Sequence, residues 1–383
     1  MNTSSALFQP FSLKKLTIPN RFVMAPMTRA QSPGNIPNEN NVKYYATRAQ
    51  GGVGLIISEG TYINPYAAEN SFSDPEKVPH FYGEAAIAGW KKIITAIHEA
   101  GGKFVPQLWH VGSVRQTGCE PNLNQPGYGP SAVIHPHAFK SEVPIVMTEK
   151  DIQQTIEDYV KAAITAKEIE CDGIELHGAH GYLLDQFFWD YTNKRLDAYG
   201  GKTLAERTRF ACEVIHAIRC AVGQDFPIIL RYSQWKLSAY QAKLAHTPEE
   251  LASFLEPLVD AGVDIFHCST RKLTTPEFSG SSAHLAGWTK KLTGKPVIAV
   301  GSLGLNLDFI QTYLGEKAAD KPQHSLWVEE MAERIDKKEF DLVALGRALI
   351  ADPNLVKKIS VSDYEGIISY DANMLKQYPN VSL

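Results

Sequence analysis

The chain has 383 residues, 44% of them hydrophobic, and a formal net charge of −4, which allows a large core and excludes the basic footprint of a nucleic-acid binder. Its five cysteines (Cys119, Cys171, Cys212, Cys220 and Cys268) are scattered and never paired as C-x-x-C, which argues against zinc and iron–sulfur sites and fits reduced thiols. No run approaches the ~18 apolar residues of a membrane span, and Met1–Pro10 lacks the basic-then-apolar pattern of a secretory leader, so the expectation is a cytoplasmic protein with no membrane or nucleic-acid partner.

Taken in chain order, short apolar runs rich in β-branched residues recur, each leaving through a polar or glycine-containing exit: Arg21–Pro26, Gly54–Gly60, Lys103–His110, Gly173–Ala179, Pro227–Ser233, Asp264–Thr270, Pro296–Ser302 and Asp341–Arg347. Helical patterns lie between most of them, over Asn40–Gln50, Glu84–Ala100, Glu149–Glu170, Thr203–Val222, Pro248–Ala261, Ala283–Leu292, Leu307–Leu314 and Leu326–Lys337. Thr148 with Asp151 reads as a capping box, Thr247-Pro248-Glu249-Glu250 as a proline-led helix start, and Gly101, Gly223 and Gly262 as helix stops. Strand then helix, eight times, predicts an α/β (β/α)8 barrel. A doubly wound sheet is disfavoured because no G-x-G-x-x-G follows a first strand. The stretch Gly112–Val146 is too long for a plain strand–helix connection and is predicted to be a lid after strand three, and Gly315–Ser325 reads as a surface insertion. No repeat marks a second domain, so residues 1–383 are expected to form one.

In a barrel of this kind chemistry sits at the C-terminal ends of the strands. That is where Thr28, Gln107, His110, His177, Arg231 and Arg347 fall. The richest segment is Asp172–Phe187, an apolar run ending in His177, Gly178, His180, Gly181 and Tyr182. Two imidazole donors and a phenol at one strand end suit a reaction that polarises a carbonyl and protonates the neighbouring carbon. The competing readings are a structural histidine pair, or a metal site in which Glu175 joins His177 and His180 in a hydrolase.

This segment, with Thr192–Arg195 and Asp197–Gly201, resembles the Old Yellow Enzyme family of FMN-dependent ene-reductases. Further blocks match in order: Leu7–Pro10, Asn20-Arg21, Met24–Arg29, Ile57–Gly60, Gln107–His110, Leu345–Arg347 and Asp352–Leu355. The resemblance implies one non-covalent FMN with its ring on the barrel mouth, and NADH or NADPH as hydride donor. Pro26, Met27, Thr28, Gly60, Gln107, Arg231, Gly301, Ser302, Gly346 and Arg347 are the implied cofactor contacts. Thr28 would donate to the flavin C4 carbonyl and Gln107 would pair with the pyrimidine edge. Arg231 would sit by N1 as a fixed cation, and Gly301-Ser302 with Gly346-Arg347 would take the phosphate. His177 and His180 would bind the oxygen of an enone or nitro substrate, Trp109 would line the pocket, and Tyr182 would protonate the α-carbon. The chain departs from the family pattern at Asn70–Glu76, Ser113, Trp189-Asp190-Tyr191 and Gln234-Trp235, and loosely in the tail with Tyr370 and Tyr378. Substrate identity, NADH or NADPH preference and oligomeric state are not legible. A flavin carrier without catalysis is the remaining alternative.

Overall fold

The computed structural model describes residues 5–68, 74–120, 122–136, 142–307, 311, 322–376 and 378. Eight parallel strands close on themselves: β1 (Phe22–Met24), β2 (Leu55–Tyr62), β3 (Lys103–Trp109), β4 (Ile174–His180), β5 (Ile228–Lys236), β6 (Ile265–Ser269), β7 (Val297–Val300) and β8 (Leu342–Leu345). Each expected strand is present, and β8 returns to β1 with Val343 opposite Phe22 and Leu345 opposite Met24. The expected (β/α)8 barrel is the fold.

The helices follow the sequence closely: α1 (Glu39–Gln50), α2 (Glu84–Glu99), α3 (Glu149–Glu168), α4 (Leu183–Phe188), α5 (Arg209–Val222), α6 (Pro248–Ala261), α7 (Leu285–Thr293), α8 (His324–Asp336), α9 (Arg347–Ala351) and α10 (Leu355–Ser360). The Thr148/Asp151 capping box forms, and Thr247 caps α6 through the Glu250 amide. Thr203–Thr208 is a turn with a short 3-10 segment rather than the first turns of α5. The helix expected over Leu307–Leu314 and the insertion Gly315–Ser325 fall largely outside the described residues, as does most of Asn70–Glu76.

Because side chains alternate across a strand, one parity faces the barrel axis and the other faces the helices. Val23, Leu55, Ile57, Val105, Ile229, Ile265, Ile298 and Leu342 form an apolar cluster inside the barrel. It is closed at the end away from the mouth by an N-terminal hairpin (Phe11–Leu13 with Leu16–Ile18), whose Phe11, Leu16 and Ile18 join the same cluster. Two residues further along, the same inward parity reaches Gln107, Arg231 and His267. Polar groups at those positions need partners inside the barrel.

The excursion after β3 holds a 3-10 turn (Gly112–Val114) and a small sheet pairing Tyr128–Gly129 with Ile145–Val146. His135 from this excursion reaches the barrel mouth, edge-on to Trp189 and 3.3 Å from the Ser238 hydroxyl. Residues 121 and 137–141 of the segment lie outside the described residues.

Candidate active site

The inward layer above the apolar core is a connected polar set. Gln107 Nε2 donates to Glu175 Oε1 at 2.7 Å, and His267 Nδ1 lies 2.6 Å from Glu175 Oε2. Glu175 and His267 are fully buried, and the register places Gln107 beside Glu175, and Arg231 between His177 and His267. Arg231 Nη2 donates to Ser269 Oγ at 3.4 Å, while its Nε is buried without a partner among the described residues. A guanidinium left with an unspent donor beside a neutral hydroxyl is a group waiting for an acceptor.

Next along β4 comes His177, nearly buried, with Nδ1 accepting from the Ala179 amide at 3.4 Å. That bond puts the imidazole proton on Nε2, which has no protein partner among the described residues. His180 Nε2 is 2.8 Å from Ser269 Oγ, and its ring stacks on Trp235 with centroids 4.4 Å apart. Burial first, and then the Arg231 charge, push both histidines well below their ordinary range, so both are neutral at physiological pH.

Tyr182 stands at the residue just before the short α4, its ring edge-on to Trp109 at 4.9 Å and to His177 at 5.0 Å. Trp109 itself stacks on Tyr62 and lies nearly parallel to His177. A Cβ added at Gly60 would stand 2.6 Å from the Trp109 ring, so this glycine makes room for the indole. The turn into Tyr182 is unusual. A bulge separates Gly178 from His180, and His180 (φ 66°) and Gly181 (φ 87°) are successive left-handed residues. A non-glycine residue held there signals a constraint imposed by the surroundings.

Other expected site residues lie on the mouth loops. Thr28 is exposed after β1, with Pro26 buried and Met27 partly so. Their loop is held from behind: Glu59 Oε2 accepts from the Arg29 and Ala30 amides at 2.9 and 3.0 Å. Burial pushes the Glu59 carboxyl up to about 7. The Arg29 guanidinium lies against both the Tyr44 and Tyr378 rings, which pack on each other, and donates to the Leu375 carbonyl, which ties this loop to the C-terminal segment. Ser302 (φ 52°) donates to the Arg271 carbonyl at 2.8 Å, and Arg347 Nη2 reaches Ser302 Oγ and the Leu307 carbonyl. Gly301 accommodates the neighbouring loop, since a Cβ would lie 2.4 Å from Thr270 Oγ1, whereas at Gly346 the nearest neighbour is the flexible Met27 thioether at 3.4 Å. His110 does not join the site. Its Nδ1 accepts from the Gly112 amide, and burial pushes it down to about 3.

Sequence reasoning missed Ser269, Trp235, Asp185 and Lys236, and gave Glu175 no link to Gln107. Only the parallel register brings these groups together. Nothing in the sequence marks Asp185 and Lys236 as partners, yet both are fully buried.

The buried neutral histidines have a consequence for stability. In the unfolded chain they titrate near 6.5, whereas folded His110 titrates at about 3, and His177, His180 and His267 are also pushed down. Below pH 6.5 the unfolded chain therefore binds more protons, and stability is lost as pH falls, at about 1.4 kcal/mol per pH unit for each such group. Glu59, raised to about 7, works the other way between its unfolded value and pH 7, but it is outnumbered. The urea midpoint is expected to drop between pH 6.5 and pH 5. A flat or rising midpoint would show that these imidazoles can protonate in place.

Comparison with known proteins decides the family. Residues 6–312 match the model of the NADH:flavin oxidoreductase / NADH oxidase family. The chain belongs to that family. Among its curated relatives, a putative 12-oxophytodienoate reductase 2 of Oryza sativa subsp. japonica is 32% identical over 357 residues, covering 93% of this chain and 87% of the relative. The NADH oxidase of Thermoanaerobacter brockii is 34% identical over 362 residues, covering 92% of this chain but 50% of that longer protein. Among solved structures, morphinone reductase in complex with tetrahydroNAD superposes with a TM-score of 0.79 at 28% identity, covering 97% of this chain and 94% of that one. An Old Yellow Enzyme homologue from Zymomonas mobilis superposes at 0.78 with 26% identity, covering 99% of both chains.

The NADH:flavin oxidoreductase assignment makes the protein an FMN-dependent, NAD(P)H-oxidising enzyme of the Old Yellow Enzyme type. The residues present fit that cofactor. A buried guanidinium N–H unpaired among the described residues, an amide held by a carboxylate and an exposed threonine share the mouth with a backbone turn at Gly346 whose nearest described side chain is the flexible Met27. The metal-site reading loses its carboxylate, because the two Glu175 oxygens are engaged by Gln107 and His267, and among the described residues no group of three His, Cys, Asp or Glu side chains could hold a metal. No helix among the described residues is long and apolar enough to cross a membrane.

Proposed function

We propose that the enzyme reduces the activated C=C bond of α,β-unsaturated carbonyl or nitro compounds. When bound, FMN supplies the hydride, taken from NADH or NADPH. Thr28, Gln107 and Arg231 would hold its ring, with Pro26, Met27 and Gly60 beside it. Gly301, Ser302, Gly346 and Arg347 would hold its phosphate. His177 Nε2–H would donate to the substrate's carbonyl or nitro oxygen, with His180 completing the cradle. A neutral donor binds that oxygen without surrendering a proton to it, and its bond strengthens as negative charge develops there. Tyr182 would donate its phenolic proton to the α-carbon, and Trp109 would form the apolar wall against which the alkene lies.

The observation that carries this reading is the packing at the end of β4. A donor histidine whose Nε2 has no partner among the described residues, a phenol 5.0 Å from it ring to ring, and an indole packed beside both form one cluster. A flavin carrier without chemistry would not need a donor and an acid side by side. The test is rapid mixing of the NAD(P)H-reduced holoenzyme with a panel of cyclic enones, nitroalkenes and unactivated alkenes. Reoxidation by the first two and not by the third is expected. Equal indifference to all three, with reoxidation only by dioxygen, would leave an oxidase and end the ene-reductase reading.

A further inference from the structure

Beneath the Tyr182 turn lies an ion pair with no exposure on either side. Lys236 Nζ is 2.5 Å from Asp185 Oδ1, and the two side chains have relative exposures of 0% and 0%. The second oxygen of Asp185 accepts from the Gly181 amide at 2.7 Å. Lys236 stands at the end of β5 opposite His180, and the neighbouring Leu237 amide donates to the His180 carbonyl at 3.1 Å. The ammonium also lies 5.9 Å from the centre of the Trp189 ring.

Such a pair is a poor device for stability alone, since desolvating both charges offsets most of their attraction and a well-packed apolar pair would serve as well. Burial pushes Asp185 up and Lys236 down, and in each case the partner's opposite charge works against the shift. What the pair does offer is direction. Asp185, anchored by Lys236, aims a carboxylate oxygen at the one amide between the two left-handed residues, His180 and Gly181. It lies at two of the chain's departures from the family pattern, after Gln234-Trp235 and against Trp189.

We propose that Lys236 and Asp185 are positioning residues, the buried pair holding the Gly181 amide and with it the left-handed turn that presents Tyr182 beside His177. This rests on Tyr182 being the proton donor.

The test compares two charge-free double variants of the holoenzyme, so that neither leaves an uncompensated buried charge. Lys236→Met/Asp185→Leu removes the acceptor for the Gly181 amide, and Lys236→Met/Asp185→Asn keeps one. The leucine variant is expected to bind FMN, to exchange the amides of the 181–186 segment faster, and to lose roughly 10²-fold in reoxidation by enones, the usual cost of a catalytic group misplaced by about 1 Å. Nitroalkenes, which leave a stabilised nitronate after hydride transfer, should be little affected. The asparagine variant should recover most of the loss. Equal losses on both oxidants or in both variants would reduce the pair to general fold support, and unchanged amide exchange would remove the pin altogether. Tyr182→Phe run in parallel separates the two readings. If it shows the enone-selective loss and the leucine variant does not, only the positioning role fails. If Tyr182→Phe itself spares enones, the acid assignment fails and the positioning role falls with it.

Discussion

Replacing Tyr182 by phenylalanine is expected to lower the rate of enone reduction by roughly 10²–10⁴, the usual worth of a general acid. The substitution removes one oxygen and keeps the ring, so the edge-on contacts with Trp109 and His177 survive and the fold and FMN content should not change. Reduction of the enzyme by NAD(P)H uses no phenolic proton and should proceed at close to its normal rate. Reoxidation by a nitroalkene should also be spared, because the nitronate can leave the site and take its proton from water. The selective loss on enones is the signature. A variant slowed mainly in the nicotinamide half-reaction, or one that still reduces enones at the parent rate, would mean that another group donates the proton.

Truncating His177 to alanine should cost about 10²–10³ in enone reoxidation, as removal of one preorganised donor to a developing oxyanion commonly does. The same variant should bind stacked phenolic ligands more weakly. His180→Ala should cost less, since His180 Nε2 is already engaged by Ser269 whereas His177 Nε2 is not committed to any described protein group. Because burial and then Arg231 keep both imidazoles neutral, affinity for a ligand that does not itself titrate there should be flat from pH 8 down to pH 6. A rise in affinity for anionic phenolates as pH falls through 6.5 would mean that an imidazolium forms and would contradict the neutral-donor scheme. If the order of the two variants is reversed, His180 is the principal donor and its bond to Ser269 must break on ligand binding.

The eight strands were readable because a parallel barrel buries both faces, so each strand is a nearly unbroken apolar run such as Ile174–Leu176 or Ile228–Leu230. The polar groups ending those runs were readable as a site because a charge at a buried strand end is costly unless something there needs it. What sequence could not show is pairing across strands. Gln107, Glu175 and His267 are distant in the chain, and only the register sets them side by side. The extension of β5 through Gln234-Trp235-Lys236 was missed for a related reason. Three polar or amphipathic residues do not read as strand, yet Lys236 is hidden because Asp185 is there to meet it. His110, read as part of the mouth, turns back to accept its own loop's Gly112 amide, a contact two residues long that strand periodicity does not encode. The N-terminal hairpin had too few residues per strand to register as a pattern.

The pairing that shuts the barrel joins the two ends of the chain. Phe22 lies opposite Val343, the Val343 amide bonds the Arg21 carbonyl, and the Ala25 amide bonds the Leu345 carbonyl. During synthesis, β1 is among the first strands to leave the ribosome and β8 is the last. Until β8 emerges, both β1 and β7 have open edges able to pair with the wrong partner, which makes the nascent chain a natural client for chaperones. The mouth loops of β1 and β8 approach one another only then, with Met27 against Gly346. If these loops hold the flavin as proposed, a fragment lacking β8 has no such site, and flavin capture waits on closure of the barrel.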